Sequence, residues 1–200
     1  LQTRETVAVL IELSDYKSEA NGRADLEALL EQVFEADIVT DAAIAANLTQ
    51  SNEFWSLRDH MTEAQQRAGK NIKHDIAVPV SRIADFVQST NAEIEAKFSG
   101  IRMIVFGHLG DGNLHYNVSP PPGLRGDDFG TIEAAVNRVT HDAVHRFNGS
   151  VSAEHGLGVL RRGEAARYKS PVELSMMRAI KTAFDPQGIM NPGKSLGDFQ

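Results

Sequence analysis

Two hundred residues with 42% hydrophobic content suffice for one substantial core, read as a single domain over 1–200, and a net charge of −7 with no basic stripe argues against nucleic acid as a partner. The absence of cysteine excludes a disulfide framework, a thiol nucleophile and thiolate metal ligands, so any metal must take nitrogen and oxygen donors. No apolar stretch approaches the length of a membrane span, and the cysteine-free composition fits a reducing compartment, so a soluble cytoplasmic protein is expected.

In chain order, the run from Val7 to Leu13 predicts a strand over 6–13. It follows directly on Leu1 to Thr6, which has neither an initiating Met nor signal-peptide character, and the expectation is a piece of a longer protein cut at a domain boundary. A helix over 23–36 and a short strand near 37–40 come next. A helix over 51–68 follows, with an amphipathic pattern through Phe54, Leu57 and Met61. Ile72 to Val80 reads as extended up to Pro79, and a helix covers 80–97. Strands over 101–107 and 113–118 flank a turn, and Pro120 to Gly123 is a loop. Helices follow over 127–148, near 161–168 and over 171–184. This order predicts an α+β fold, a largely antiparallel sheet with helices packed on one face.

The turn carries the strongest chemical signal. Asp111-Gly112 is a type I′ hairpin dipeptide, and a two-residue turn there pairs Gly110 with Asn113, Leu109 with Leu114, and His108 with His115. Directly opposed residues have Cβ atoms roughly 4.5–5.5 Å apart, close enough for two imidazoles to share one divalent cation, and Asn117 lies on the same face. A hairpin with no chemistry is the plainer alternative. A third ligand is available in Ser152-Ala153-Glu154-His155-Gly156, where adjacent Glu and His stand between small residues. Two histidines, a carboxylate and an open position are the ingredients of a catalytic metal centre, with a further histidine beside it.

On the long predicted helix, Arg58 and Thr62 are four residues apart and share a face, with Lys73 opening the extended segment beyond. Arg offers a planar fork, Thr a hydroxyl and Lys a point charge, a combination suited to an anion; ordinary surface residues are the alternative.

Taken together, His108-Leu-Gly-Asp-Gly-Asn-Leu-His115-Tyr-Asn117, Ser152-Ala-Glu154-His155-Gly156 and Asp185-Pro-Gln-Gly-Ile-Met-Asn191-Pro-Gly-Lys194 resemble the C-terminal, substrate-side domain of FAD-linked D-2-hydroxyacid dehydrogenases in the vanillyl-alcohol-oxidase superfamily. The likeness spans nearly the whole chain and is nearest to the D-2-hydroxyglutarate and D-lactate/glycolate dehydrogenase branch. It implies a ferredoxin-like substrate domain in which His108, His115 and Glu154 hold a divalent metal, zinc or manganese. It implies His155 as the base and a substrate contact, Asn117 as a substrate contact, and Arg58, Thr62 and Lys73 as a carboxylate clamp. Asn191 would approach the flavin, although a helix-ending loop at Pro192 accounts for that run equally well.

The resemblance implies FAD held mainly by a separate N-terminal domain, which these residues do not include. His-Leu-Gly-Asp-Gly-Asn is no dinucleotide fingerprint, since it precedes a strand rather than opening a helix. The expected reaction is oxidation of a D-2-hydroxy acid (2-hydroxyglutarate, malate, lactate or glycolate) to the 2-oxo acid, with this chain alone inactive and a homodimer an open assembly. Two alternatives stay beside it: a metal-dependent hydrolase using the same ligands to activate water, and a non-catalytic module that binds small acids.

Overall fold

The computed structural model describes residues 7–67, 69–121, 129–194 and 196. It divides into two units, Leu1–Arg67 and Ala68–Gln200.

The first unit is helical. Its α1 (Glu19–Glu35) starts where Ser18, in extended conformation, accepts the Asn21 N–H on its hydroxyl. It ends in a closed C-terminal turn: Asp37 adopts φ 55° while its N–H and that of Ile38 return to the carbonyls of Phe34 and Val33. Those bonds use up the donors a strand near 37–40 would need, and none forms there. Asn47 caps α2 (Leu48–Asp59) in the same way as Ser18 caps α1, and α3 (Met61–Arg67) follows. The single helix expected over 51–68 is thus split at His60, whose Nδ1 lies 2.7 Å from the Ser56 carbonyl oxygen. The extended segment 7–13 belongs to no strand, and Val7 and Val9 are exposed; residue 6 lies outside the described residues. Alternation favours a strand only where a ladder partner is in register.

In the second unit, β1 (Asp75–Ala77), a 3₁₀ turn (Val80–Arg82), α4 (Ile83–Lys97), β2 (Arg102–His108), β3 (Asn113–Ser119) and α5 (Glu133–Arg146) form an antiparallel sheet in the order β1-β3-β2 with helices on one face. The fold is α+β. Ser150, just past α5, bridges antiparallel to Ala77 on the free edge of β1. That sequence of elements is the split β-α-β-β-α-β arrangement with its last strand reduced to a bridge. Gly149 is required at this approach, because a Cβ there would sit 2.3 Å from the Ala77 carbonyl oxygen. Two further helices, α6 (Arg162–Tyr168) and α7 (Pro171–Phe184), complete the unit, and residues 127 and 128 of the helix expected over 127–148 lie outside the described residues.

The core sits between the sheet and its helices. Ile76, Leu114, Tyr116 and Val118 point to Phe86 and Ile94 of α4 and to Val136, Val139, Ala143 and Val144 of α5. Period-2 alternation therefore sends Lys73 and Asp75, together with Asn113, His115, Asn117 and Ser119 of β3, to the opposite face.

Candidate functional site

The hairpin register differs from the one the Asp-Gly dipeptide predicts. His108 pairs with Asn113 and Phe106 with His115, so the two histidines are not directly opposed. Four residues turn the chain rather than two: Leu109–Asp111 form a 3₁₀ turn, and Gly112 closes it at φ 77°. Two bonds select this loop. The Asp111 carboxylate accepts the Asn113 N–H at 3.0 Å, and Val78 N–H donates to the Gly112 carbonyl at 3.1 Å, tying the turn to the end of β1. The register shift is by an even number of residues, so His108 and His115 still share one face, on a diagonal.

The loop after Ser150 comes to this face. Glu154 Oε1 lies 3.3 Å from His108 Nδ1, with Asp111 Oδ2 at 3.7 Å from the same nitrogen. His155 stacks on His115 with ring centroids 6.1 Å apart, and Phe106 backs His115 at 5.0 Å. Asn117 is buried on the same face, two residues along β3 from His115. Continuing the β1–β3 register from Asp75–His115 places Lys73 across from Asn117; Lys73 is exposed, and Arg161 donates to its carbonyl oxygen at 2.6 Å.

Other sequence-derived positions fall elsewhere. Arg58 stands in the last turn of α2 and Thr62 in the first turn of α3, so the pair does not lie on one continuous helix, and both belong to the first unit. Asn191 is exposed at φ 48° in the turn after α7, organised by Asp185, which accepts the N–H groups of Ile189 and Met190 at 3.0 and 2.9 Å.

Asp75 is the residue that sequence reasoning missed. Burial pushes its carboxyl upward, but the backbone N–H groups of His155 and Glu154, the Asn113 amide and the nearby His155 charge outweigh that and hold it below the usual carboxylate range. The signal was present in the alternation of Ile72, His74 and Ile76 with Lys73 and Asp75, which sets Asp75 on the same face as Lys73.

Among the described residues, no three His, Asp or Glu side chains are grouped closely enough to hold one metal ion. The donor types nevertheless suit a borderline cation: His108 and Glu154 already converge, both about half exposed, and His115 stands on the same face.

The family model described as "FAD linked oxidases, C-terminal domain" matches residues 1–195. This chain belongs to that family. Similar relatives are named D-2-hydroxyglutarate dehydrogenase: one from Stutzerimonas stutzeri (strain A1501) is 34% identical over 95% of this chain and 41% of its own length. A mitochondrial one from Arabidopsis thaliana is 38% identical over 98% of this chain and 34% of its own length, and one from Danio rerio is 36% identical over 86% and 31%. The chain therefore spans about two-fifths or less of the curated relatives it matches. In this FAD linked oxidase C-terminal domain, no described helix is long and apolar enough to cross a membrane.

Proposed function

We propose that this chain is the substrate-side domain of a flavin-dependent dehydrogenase that oxidises a D-2-hydroxy acid, of the 2-hydroxyglutarate class, to its 2-oxo acid. The observation that supports it most is the convergence of Glu154 and His155 onto the sheet face that carries His108, His115 and Asn117. The names of the relatives favour this reading over a hydrolase or a simple binding module.

His155 takes the hydroxyl proton of the substrate, for which an exposed histidine beside a fixed carboxylate is suited. Lys73 supplies positive charge on the same face, and Arg58 and Thr62, in the first unit, are read as residues that bind a substrate carboxylate. Asn117 orients the substrate as a neutral hydrogen-bonding group. His108, His115 and Glu154 would hold zinc or manganese. The chemistry such groups supply when bound is Lewis-acid polarisation of the hydroxyl by the metal and acceptance of the C2 hydride by FAD, which is held mainly outside these residues.

The test is steady-state kinetics of the full-length protein with D-2-hydroxyglutarate and D-lactate. His155→Ala is expected to lower kcat about 10²–10⁴-fold with little change in KM, because a base acts in the transition state. His108→Ala and Glu154→Ala should lose activity that added zinc or manganese does not restore. Arg58→Ala should weaken binding about tenfold or more, selectively for the dicarboxylate if the clamp is distal. An effect of His155→Ala on KM alone would refute the assignment of the base.

A further inference from the structure

Three consecutive backbone N–H groups of the loop after Ser150 end on one residue. Ala153 N–H donates to the Asp75 carbonyl oxygen at 3.2 Å, and the N–H groups of Glu154 and His155 each donate to its Oδ2 at 2.9 Å. The other carboxylate oxygen accepts the Asn113 amide at 2.9 Å, and Asp75 is itself the register partner of His115. A side chain only 4% exposed thus joins the β3 row to the Glu154–His155 loop. With donors fixed on both oxygens, the carboxylate has no freedom to rotate away.

The same Oδ2 lies 3.3 Å from His155 Nδ1, while the His155 side chain is 67% exposed. The carboxylate thus fixes the backbone of the loop through its N–H groups and stands beside the ring that the loop carries.

We infer that Asp75 is a positioning residue: it holds the Glu154–His155 loop, and with it the His155 ring, against the His115 row. This rests on the reading of His155 as the base. A purely structural loop anchor would affect melting alone and leave the ring unmoved.

Asp75→Asn separates the two, since Asn keeps the shape and one acceptor oxygen but loses the charge. NMR cross-relaxation between the His155 and His115 rings, whose centroids lie 6.1 Å apart, is expected in the full-length wild type and is expected to weaken in the variant. In full-length holoenzyme turning over D-2-hydroxyglutarate, Asp75→Asn should lower kcat about 10–100-fold with KM little changed, and should add nothing to His155→Ala. An unaltered ring contact overturns the inference, as does an intact kcat in Asp75→Asn when His155→Ala is impaired. If His155→Ala itself turns over normally, the base assignment falls, while a lost ring contact in Asp75→Asn still upholds Asp75 as the residue that places His155. Should Asp75→Asn not fold by circular dichroism, Asn113→Ser, which removes the amide steering the carboxylate, is expected to weaken the same ring contact.

Discussion

His74, between Lys73 and Asp75, faces the other way, into the core. Its Nδ1 lies 2.7 Å from the Tyr116 carbonyl oxygen, and its ring meets His141 edge-on at 5.5 Å. Burial pushes its pKa down to about 3; the Tyr116 carbonyl opposes this, and the charges of His141 and Arg161 add to it. His141 is likewise lowered by burial, against the pull of Glu164 at 2.9 Å, and Arg138 and Arg161 add positive charge to the cluster. The unfolded chain therefore binds a proton that folded His74 refuses. Stability is full above the unfolded value near 6.5 and falls as pH drops toward about 3, at up to about 1.4 kcal/mol per pH unit from this group. Urea unfolding should show the decline between about pH 6.5 and 5, above the carboxylate range, and His74→Leu should flatten it even while lowering stability at neutral pH. An unchanged slope in that variant would remove His74 as its source. At this scale much of the candidate site was legible: His108, His115, Asn117, Glu154 and His155 are residue types whose chemistry is evident without coordinates. Asp75 was not singled out, because an isolated Asp in an extended run says nothing until the loop that it anchors is in place.

The β2–β3 hairpin shows what local sequence controls and where it stops. Asp111-Gly112 announces a turn, and a turn forms, but its length depends on bonds from outside the hairpin, chiefly Val78 N–H to the Gly112 carbonyl. Gly112 combines φ 77° with an approach in which a Cβ would lie 2.2 Å from the Val78 carbonyl oxygen. Gly112→Ala therefore combines left-handed backbone strain of about 1–2 kcal/mol with a backbone clash, and the denaturation midpoint should fall by at least that amount. The cross-strand contact of His108 with Asn113 should weaken in NMR spectra of the variant. At α7 the local signals are sufficient. Ser170 accepts the Glu173 N–H at 3.2 Å, Glu173 accepts the Ser170 N–H at 2.8 Å, and Pro171 opens the helix, so the predicted and observed spans coincide. The helix expected over 51–68 forms as two shorter helices, α2 and α3, and its amphipathic pattern buries no face: Leu57 is 73% exposed and α2 buries nothing.

Across the molecule, every described residue of the hydrophobic core cluster belongs to the second unit, from Ile72 to Val151, whereas α1 to α3 bury only Gly22 and Gln65. Amide exchange follows burial, so protection should concentrate in β1, β3, α4 and α5, with the amides of α1 to α3 exchanging much faster. Equal protection in both units would contradict this division. The sequence by itself determined the α+β class, the helices with strong caps, the existence of the hairpin and the residue types of the candidate site, because capping, turn chemistry and period-2 alternation act over a few residues. The tertiary structure decided the four-residue turn, the splitting of the 51–68 helix, the absence of a strand at 7–13 and the role of Asp75. Each depends on a partner distant in the chain: Val78 for the turn, a core for the helix, a ladder for the strand, and for Asp75 a loop 79 and 80 residues away whose N–H groups it holds. Such partners are set by how the elements stack, which no local pattern encodes.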